Sequence, residues 1–229
     1  MNRSNISVVV AAYNEEEGIA PTLCEIKNTL HKPHLVVVDG KSTDRTLELA
    51  KDLGANVIIQ EGKGKGNAIS LGLQHIESAT NYVVFTDADF TYPARHIKEM
   101  VNVLDLNPEV GMVLGDRFSK IYQCESDRNQ FYIGNRILGF AQRVFNGIDL
   151  NDPYTGLRIM RSELVNKWKP ESEGFDIEAE LNHHVKRLGY RILELPIRYR
   201  KRLGKKKLGF RHGLKILRRI VIQRLSTKK

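Results

Sequence analysis

The stretch Ile6-Ser7-Val8-Val9-Val10-Ala11-Ala12-Tyr13-Asn14-Glu15 decides the fold. Ile6–Ala11 is a nearly continuous apolar run of strand length, the pattern of a strand covered on both faces. Polar Tyr13-Asn14-Glu15 follows directly. A helical pattern then covers Ile19–Leu30, with Pro21 expected in its first turn, where a missing N–H is tolerated. The same unit recurs downstream. Leu35–Val38 reads as a strand, and Ser42 or Thr43 caps a helix through about Leu53. Asn56–Ile59 is a short strand, Lys65–Ile76 a helix, Tyr82–Thr86 a strand, Pro93–Leu106 a helix and Val110–Leu114 a further strand.

This alternation implies an α/β fold, a mostly parallel sheet flanked by helices. Such sheets bind ligands beyond the carboxyl ends of their strands. The polar residues that follow a strand at once are therefore the informative ones: Tyr13-Asn14-Glu15, Asp39-Gly40, Asp87-Ala88-Asp89 and Asp116-Arg117. The second half is less regular. It predicts a helix over Asn129–Phe145, a turn at Asn151-Asp152-Pro153-Tyr154, a helix over Asp176–Leu188, a strand over Tyr190–Tyr199 and a basic amphipathic helix over Phe210–Leu225. No internal repeat or low-complexity linker interrupts it.

A chain of 229 residues fits one domain with an appendage. Cys24 and Cys124 are the only cysteines, which argues against a disulfide framework and fits a reduced, cytosolic compartment. The polar start before Ile6 does not read as a signal peptide. No apolar stretch approaches the roughly 18 residues of a spanning helix. The formal net charge of +9 hides an asymmetry. Leu195–Lys229 holds 14 of the 36 Lys and Arg and none of the 27 Asp and Glu, which leaves the body with 22 basic against 27 acidic residues. A mildly acidic body with a basic tail points to an anionic partner, whether nucleic acid, anionic lipid or a phosphorylated substrate.

Asp87 and Asp89 suit a hard divalent cation, Mg²⁺ or Mn²⁺, whose remaining ligands are substrate phosphates. Chance alone supplies roughly 0.5 Asp-x-Asp pairs in a chain of this composition, so the position after Tyr82–Thr86 carries the argument more than the spacing does. Asp39 is a candidate for a base or ribose edge, or simply a turn aspartate. Gly62-Lys63-Gly64-Lys65-Gly66-Asn67 precedes a helix and lets a backbone approach an anion, although it is neither a Walker loop nor a dinucleotide fingerprint. Arg200-Lys201-Arg202-Leu203-Gly204-Lys205-Lys206-Lys207 offers cations to a phosphate. In the last helix, Phe210, Leu214, Leu217, Val221 and Leu225 alternate with basic residues. That spacing suits either a headgroup layer or packing on the protein's own core. The seven histidines show no metal-like spacing, and there is no serine nucleophile elbow.

Together, Ala11-Ala12-Tyr13-Asn14-Glu15, Val36-Val37-Val38-Asp39-Gly40-Lys41-Ser42-Thr43-Asp44, Gly64-Lys65-Gly66-Asn67-Ala68 and Asp87-Ala88-Asp89 resemble the inverting glycosyltransferases of family 2, which have the GT-A (Rossmann-like) fold. Gly115–Phe118, Asp152–Leu157, Gly174–Glu178 and Tyr199–Leu208 look like the polyprenyl-phosphate hexose synthases, the dolichyl-phosphate mannose and glucose synthases among them. The resemblance implies a catalytic domain over residues 1–200, with nucleotide-sugar binding in 6–120 and an acceptor part in 121–200, and a membrane-surface tail over 201–229.

It also implies roles. Ala12, Tyr13, Asn14, Glu15, Asp39, Lys65, Gly66, Asp87 and Ala88 would contact the nucleotide, and Asp87 and Asp89 would hold Mg²⁺ or Mn²⁺. Arg117, Arg202 and Lys207, with Arg128 and Arg136, would meet the acceptor phosphate. Asp89, Arg117 and Arg202 would act at the reacting groups, with Asp176 as a secondary candidate base. The implied partners are a nucleotide sugar, dolichyl or polyprenyl phosphate, a membrane surface at its cytosolic face and a membrane-anchoring partner, with no nucleic acid. The mannose enzymes often carry Gln where this chain has Thr91, which favours UDP-glucose or UDP-N-acetylglucosamine over GDP-mannose. Lys206 stands where the tail motif usually has Ser. The rival readings are a family 2 enzyme acting on a sugar hydroxyl in glycan or polysaccharide assembly, a sugar nucleotidyltransferase, and a nucleic-acid-binding protein using the basic tail.

Overall fold

The computed structural model describes residues 5–122, 130–205, 207 and 209–226. Arg128, Cys124 and Lys206 lie outside the described residues. Seven strands form one sheet in the order β3-β2-β1-β4-β6-β5-β7. They are β1 (Ile6–Ala12), β2 (His34–Asp39), β3 (Asn56–Ile59), β4 (Tyr82–Asp87), β5 (Val110–Asp116), β6 (Arg158–Arg161) and β7 (Arg191–Pro196). All neighbours are parallel except β6, which runs antiparallel to both β4 and β5. β6 is absent from the sequence reading: Arg158-Ile159-Met160-Arg161 is four residues long with an arginine at each end, and its pattern does not announce a strand.

Alternate residues of each central strand enter opposite cores, which is why these strands are apolar on both faces. Val8, Val10, Val37 and Val84 pack with α1 (Glu16–Thr29), α2 (Thr46–Asp52) and α4 (Arg95–Leu106). Val9, Val36, Val38 and Phe85 pack with α3 (Lys65–Leu73) and α6 (Ile177–Arg187). A third, smaller cluster joins α5 (Gln130–Asn146), α6 and α7 (Phe210–Ser226) through Ala141, Ala179, Ile216 and Ile220.

Two local expectations are corrected. α1 begins three residues earlier than its apolar periodicity suggests, so Pro21 falls beyond the first turn and removes one interior backbone bond. α2 begins at Thr46, and neither Ser42 nor Thr43 caps it. Ser42 Oγ instead accepts the Asn14 N–H (2.9 Å), and the Thr43 N–H donates to Asn14 Oδ1 (2.8 Å), which lashes the β1–α1 loop to the β2–α2 loop. The N–H and hydroxyl of Thr46 donate to Asp44.

The final helix packs on the protein's own core along one face only. Ile216 and Ile220 are buried against α5 and α6, while Leu214, Leu217, Val221 and Leu225 on its other face are exposed. α5 is built the same way, with Ala141 buried and Ile133, Ile137, Phe140 and Val144 exposed. No helix among the described residues is long and apolar enough to cross a membrane.

Candidate active site

β4 delivers Asp87 and then Asp89 at its carboxyl end. Lys65, the first residue of α3, sits between two carboxylates, 2.7 Å from Asp87 Oδ1 and 2.8 Å from Glu178 Oε1. Burial disfavours the Lys65 charge, but the two carboxylates outweigh it and raise its pKa. Burial likewise opposes ionisation of Asp87, and the Lys65 ammonium overcomes it to bring that carboxyl below its usual range. Asp89 goes the other way: burial, then the charge of Asp87, push it up. Asp89 Oδ1 accepts from the hydroxyl and N–H of the fully buried Thr91, at 2.6 and 3.2 Å.

Glycine permits two close approaches here. A Cβ at Gly18 in α1 would lie 2.7 Å from Asp89 Cα, so the helix rests directly on the aspartate loop. A Cβ at Gly156 would lie 2.8 Å from Asp87 Cγ. The Gly156 N–H is held by the buried Tyr92 hydroxyl at 2.7 Å, which fixes this backbone against the carboxylate.

The oxygen-only pair Asp87 and Asp89 fits a hard divalent cation. Among the described residues no group of three His, Cys, Asp or Glu could hold a metal by itself, so the remaining ligands would come from substrate or water.

The segment after β7 crosses the same edge of the sheet. Its backbone is stitched to the aspartate loop, Arg200 N–H to Thr91 O (2.9 Å) and Leu203 N–H to Asp89 O (3.0 Å). Arg200 forks onto Glu25, both bonds 2.7 Å, and lies over the Phe90 ring at 4.2 Å. Arg202 Nη2 reaches both oxygens of Glu15, at 2.6 and 2.7 Å, and its Nη1 lies 3.4 Å from Asp89 Oδ2. Lys207 pairs with Glu15 and donates to Asn14 O at 2.9 Å. Residues nearly 190 positions apart are thereby brought together.

On the β1 and β2 side, Tyr13 is half exposed, while Asp39 is only 1% exposed. Asp39 Oδ2 accepts the Ser42 N–H at 2.9 Å, and its Oδ1 is buried with no hydrogen-bond partner. Such an orphaned acceptor is costly unless a ligand supplies a donor. Ala12 and Ala88 point their methyls into the core, so only their backbones face this edge.

The Gly62–Asn67 loop does not behave as an open anion cradle. The Gly66 and Asn67 N–H groups are bound by the carbonyls of Gly174 and Glu173, both 3.1 Å, because the loop before α6 packs against it.

A second polar cluster lies beyond β5. Arg117 forks onto Asp152 (Nε 2.7 Å, Nη2 2.8 Å), which is fully buried and also binds the side chain of Asn135. Arg136, on the exposed side of α5, donates to Asn151 Oδ1 at 2.7 Å. It lines a recess of about 390 Å³ with Phe140, Arg143 and Asp149. Asp176 does not join the site carboxylates: its oxygens meet Arg219 (3.4 Å) and the Gly174 N–H. Glu178, two residues later, is the carboxylate that does. The sequence reading missed Glu178, Tyr92, Gly156 and the fully buried Arg158. The Arg158 guanidinium donates to the carbonyls of Pro153 and Thr155 and to the Asn182 side chain. The only signal available was that Gly156 and Glu178 stand in the quoted motifs Asp152–Leu157 and Gly174–Glu178.

Comparison with known proteins places this geometry. The family model "Glycosyl transferase family 2" matches residues 7–168. A dolichyl-phosphate hexose transferase of Haloferax volcanii is 34% identical over 221 residues, covering 95% of this chain and 92% of that protein. A dolichol-phosphate mannosyltransferase of Pyrococcus furiosus is 25% identical over 207 residues, 85% of this chain but only 56% of that longer protein. Among solved structures, glucosyl-3-phosphoglycerate synthase from Mycobacterium tuberculosis, in complex with Mg²⁺ and UDP, superposes with a TM-score of 0.74 at 25% identity. That match covers 97% of this chain and 79% of the other.

Proposed function

The chain belongs to glycosyl transferase family 2, and from that premise we propose that it transfers a hexose from a nucleotide sugar to dolichyl or another polyprenyl phosphate, with inversion, at a membrane surface. The observation that carries this reading is the meeting of Arg202 and Lys207 with Glu15 and Asp89 at the carboxyl ends of β1 and β4. Cations for an anionic acceptor thus stand beside the acids that suit a metal and its diphosphate. The Haloferax relative, a dolichyl-phosphate hexose transferase by name, supports the same acceptor class.

Asp39, with its orphaned Oδ1, would accept an N–H of the nucleobase, and Tyr13, Asn14 and Glu15 would line the nucleoside. Asp87 and Asp89 would hold Mg²⁺ or Mn²⁺, which supplies charge neutralisation for the leaving diphosphate. Lys65 fixes Asp87, and Thr91 fixes Asp89. Arg202 and Lys207, with Arg117 and Arg136, would orient the acceptor phosphate in line with the anomeric carbon. An oxygen of that phosphate forms the new bond to the carbon as the bond to the diphosphate oxygen breaks. A phosphate monoester has its second pKa near ~6 and is already ionised at neutral pH, so no general base is needed. Residues 1–200 would form the catalytic domain and 201–229 the tail that meets the membrane. The exposed apolar faces of α5 and α7, interleaved with Arg136, Arg143, Arg218 and Arg224, support interfacial contact.

The test is a transfer assay with the full chain, Mg²⁺ or Mn²⁺ and dolichyl phosphate in detergent. UDP-glucose, UDP-N-acetylglucosamine and GDP-mannose are offered separately, and label is followed into the organic phase. Label from one donor, lost on chelation, supports the proposal, and a UDP-hexose is the expected donor. Donor binding without lipid-linked label would refute the phosphate acceptor and favour a sugar hydroxyl.

A further inference from the structure

A single carboxylate, Glu194, underlies Arg117 and Arg136, two of the arginines proposed to meet the acceptor phosphate. Glu194 lies on β7 opposite Leu114 of β5. Its Oε2 accepts the Asn151 N–H and its Oε1 the Asp152 N–H, both at 2.7 Å. The side chains of those two consecutive residues each hold one arginine. Asp152 forks onto Arg117, and Asn151 Oδ1 receives Arg136 Nη1 at 2.7 Å. Asn151 is also clamped by both oxygens of Asp116, at 2.9 Å. The turn therefore cannot shift without moving both guanidinium groups.

We infer that Glu194 is a positioning residue for acceptor binding, setting Arg117 and Arg136 through the backbone of the Asn151–Asp152 turn. This rests on the reading above, in which those arginines meet the acceptor phosphate. The ionised carboxylate is the form that accepts both N–H bonds, since protonation turns one oxygen into a donor facing an N–H. The charged groups around it are Asp116 and Arg117 at the end of β5, Asp152 in the turn and Arg136 on α5. Burial, opposed by the two N–H bonds and aided by Asp116 and Asp152, pushes the Glu194 carboxyl up to about 7. Arg117 and Arg136 would then be held less firmly below neutrality.

The experiment measures acceptor KM, kcat and donor-nucleotide affinity for wild type, Glu194→Gln and Arg136→Ala, with dolichyl phosphate in detergent, between pH 6 and 8.5. At pH 8.5, Glu194→Gln should raise acceptor KM about tenfold, the effect of one lost charge-assisted hydrogen bond. Donor affinity should stay within twofold. The variant-to-wild-type ratio of acceptor KM should fall toward one as pH drops through about 7. Taking this ratio cancels the acceptor's own ionisation. A pH-independent ratio, or equal loss of donor and acceptor binding, would mean a merely structural role and overturn the inference. If Arg136→Ala raises acceptor KM and Glu194→Gln does not, the positioning role fails while the acceptor reading stands. If neither changes it, the positioning role falls together with the place of Arg136 at the acceptor phosphate. Should Glu194→Gln fail to fold, the wild type still decides. The Asn151 and Asp152 amide resonances should titrate together with a midpoint near 7, and amides that do not move over this range would refute the coupling.

Discussion

Replacing Gly156 with alanine tests whether the backbone wall behind Asp87 sets the geometry of the acid pair. The added Cβ would collide first with Asp87 Oδ2 and would stand 2.8 Å from its Cγ and 3.0 Å from its Oδ1, where real Cβ contacts seldom fall below 3.4 Å. The carboxylate must retreat by about 1 Å, because Gly156 is itself pinned by the Tyr92 hydroxyl at 2.7 Å. Retreat strains the 2.7 Å bond to Lys65, which Glu178 holds from its other side. Overpacking of this kind costs about 1–3 kcal/mol of stability. Misplacing a reacting group by ~1 Å costs about a hundredfold in rate, so a loss of about 10- to 100-fold in transfer is expected. The assay pairs the initial transfer rate with a thermal melt and a titration of divalent metal. Gly134→Ala in α5 is the control: nothing lies within 4 Å of its Cβ, and exchanging a helical glycine for alanine should be neutral or gain up to ~1 kcal/mol. A folded Gly156→Ala protein with a rate within threefold of wild type and unchanged metal response would refute the reasoning.

Asp89→Ala should reduce transfer by at least about 10²-fold while the melt shifts by only a few degrees, and near-normal turnover would sink the metal assignment. Glu194 also predicts a pH effect on stability. Its carboxyl stands at about 7 in the fold against 4.5 ordinarily, so the folded state binds its proton more tightly than the unfolded chain. That contribution is complete below about pH 4.5 and is lost as pH rises through about 7, up to roughly 3 kcal/mol. Urea melts at pH 5 and 8 should show wild type losing stability relative to Glu194→Gln, and parallel profiles would contradict it. Ile137→Asp and Phe140→Asp, both at exposed positions on α5, should each weaken binding to anionic vesicles by about tenfold or more without altering the melt. Undiminished vesicle binding by the double variant would remove α5 from the proposed membrane face.

The parallel half of the sheet was legible because strands buried on both faces must be apolar throughout, and Val8–Val10, Val36–Val38 and Val83–Phe85 are. The acid pair was legible because Asp87 and Asp89 follow such a strand. What could not be read is what depends on contacts distant in the chain. β6 is a strand because β4 and β5 flank it, and its Arg158 is buried only because Pro153, Thr155 and Asn182 converge on the guanidinium. Glu178 and Asp176 both stand at the start of α6, and sequence does not say which faces Lys65. The helical phase decides it: Ile177 and Glu178 turn inward, while Asp176 meets Arg219 of α7. The glycine loop before α3 misled for a related reason, since the carbonyls that bind its N–H groups come from residues 173 and 174.

The basic tail looks like a free cationic surface in one dimension, but four of its 14 basic residues turn inward in three. Arg200 is bound to Glu25, Arg202 to Glu15 and Asp89, Lys207 to Glu15, and Arg219 to Glu171 and Asp176. The acid-free segment is folded onto the acidic body that its composition complements, which explains why a stretch with neither helix nor strand periodicity is ordered at the sheet edge. This weighs against the nucleic-acid reading, which needs those cations facing outward along a backbone of phosphates. The sheet edge also gathers both signs of charge. Glu15, Asp87, Asp89 and Glu178 stand there in ion pairs with Lys65, Arg202 and Lys207, and burial, with the charge of Asp87, pushes the Asp89 carboxyl up. A site with a buried acid pair, and with arginine and lysine held on glutamate beside it, is arranged for ligands of both signs. A divalent ion would relieve the acids, and a phosphate would compete with Glu15 for Arg202 and Lys207.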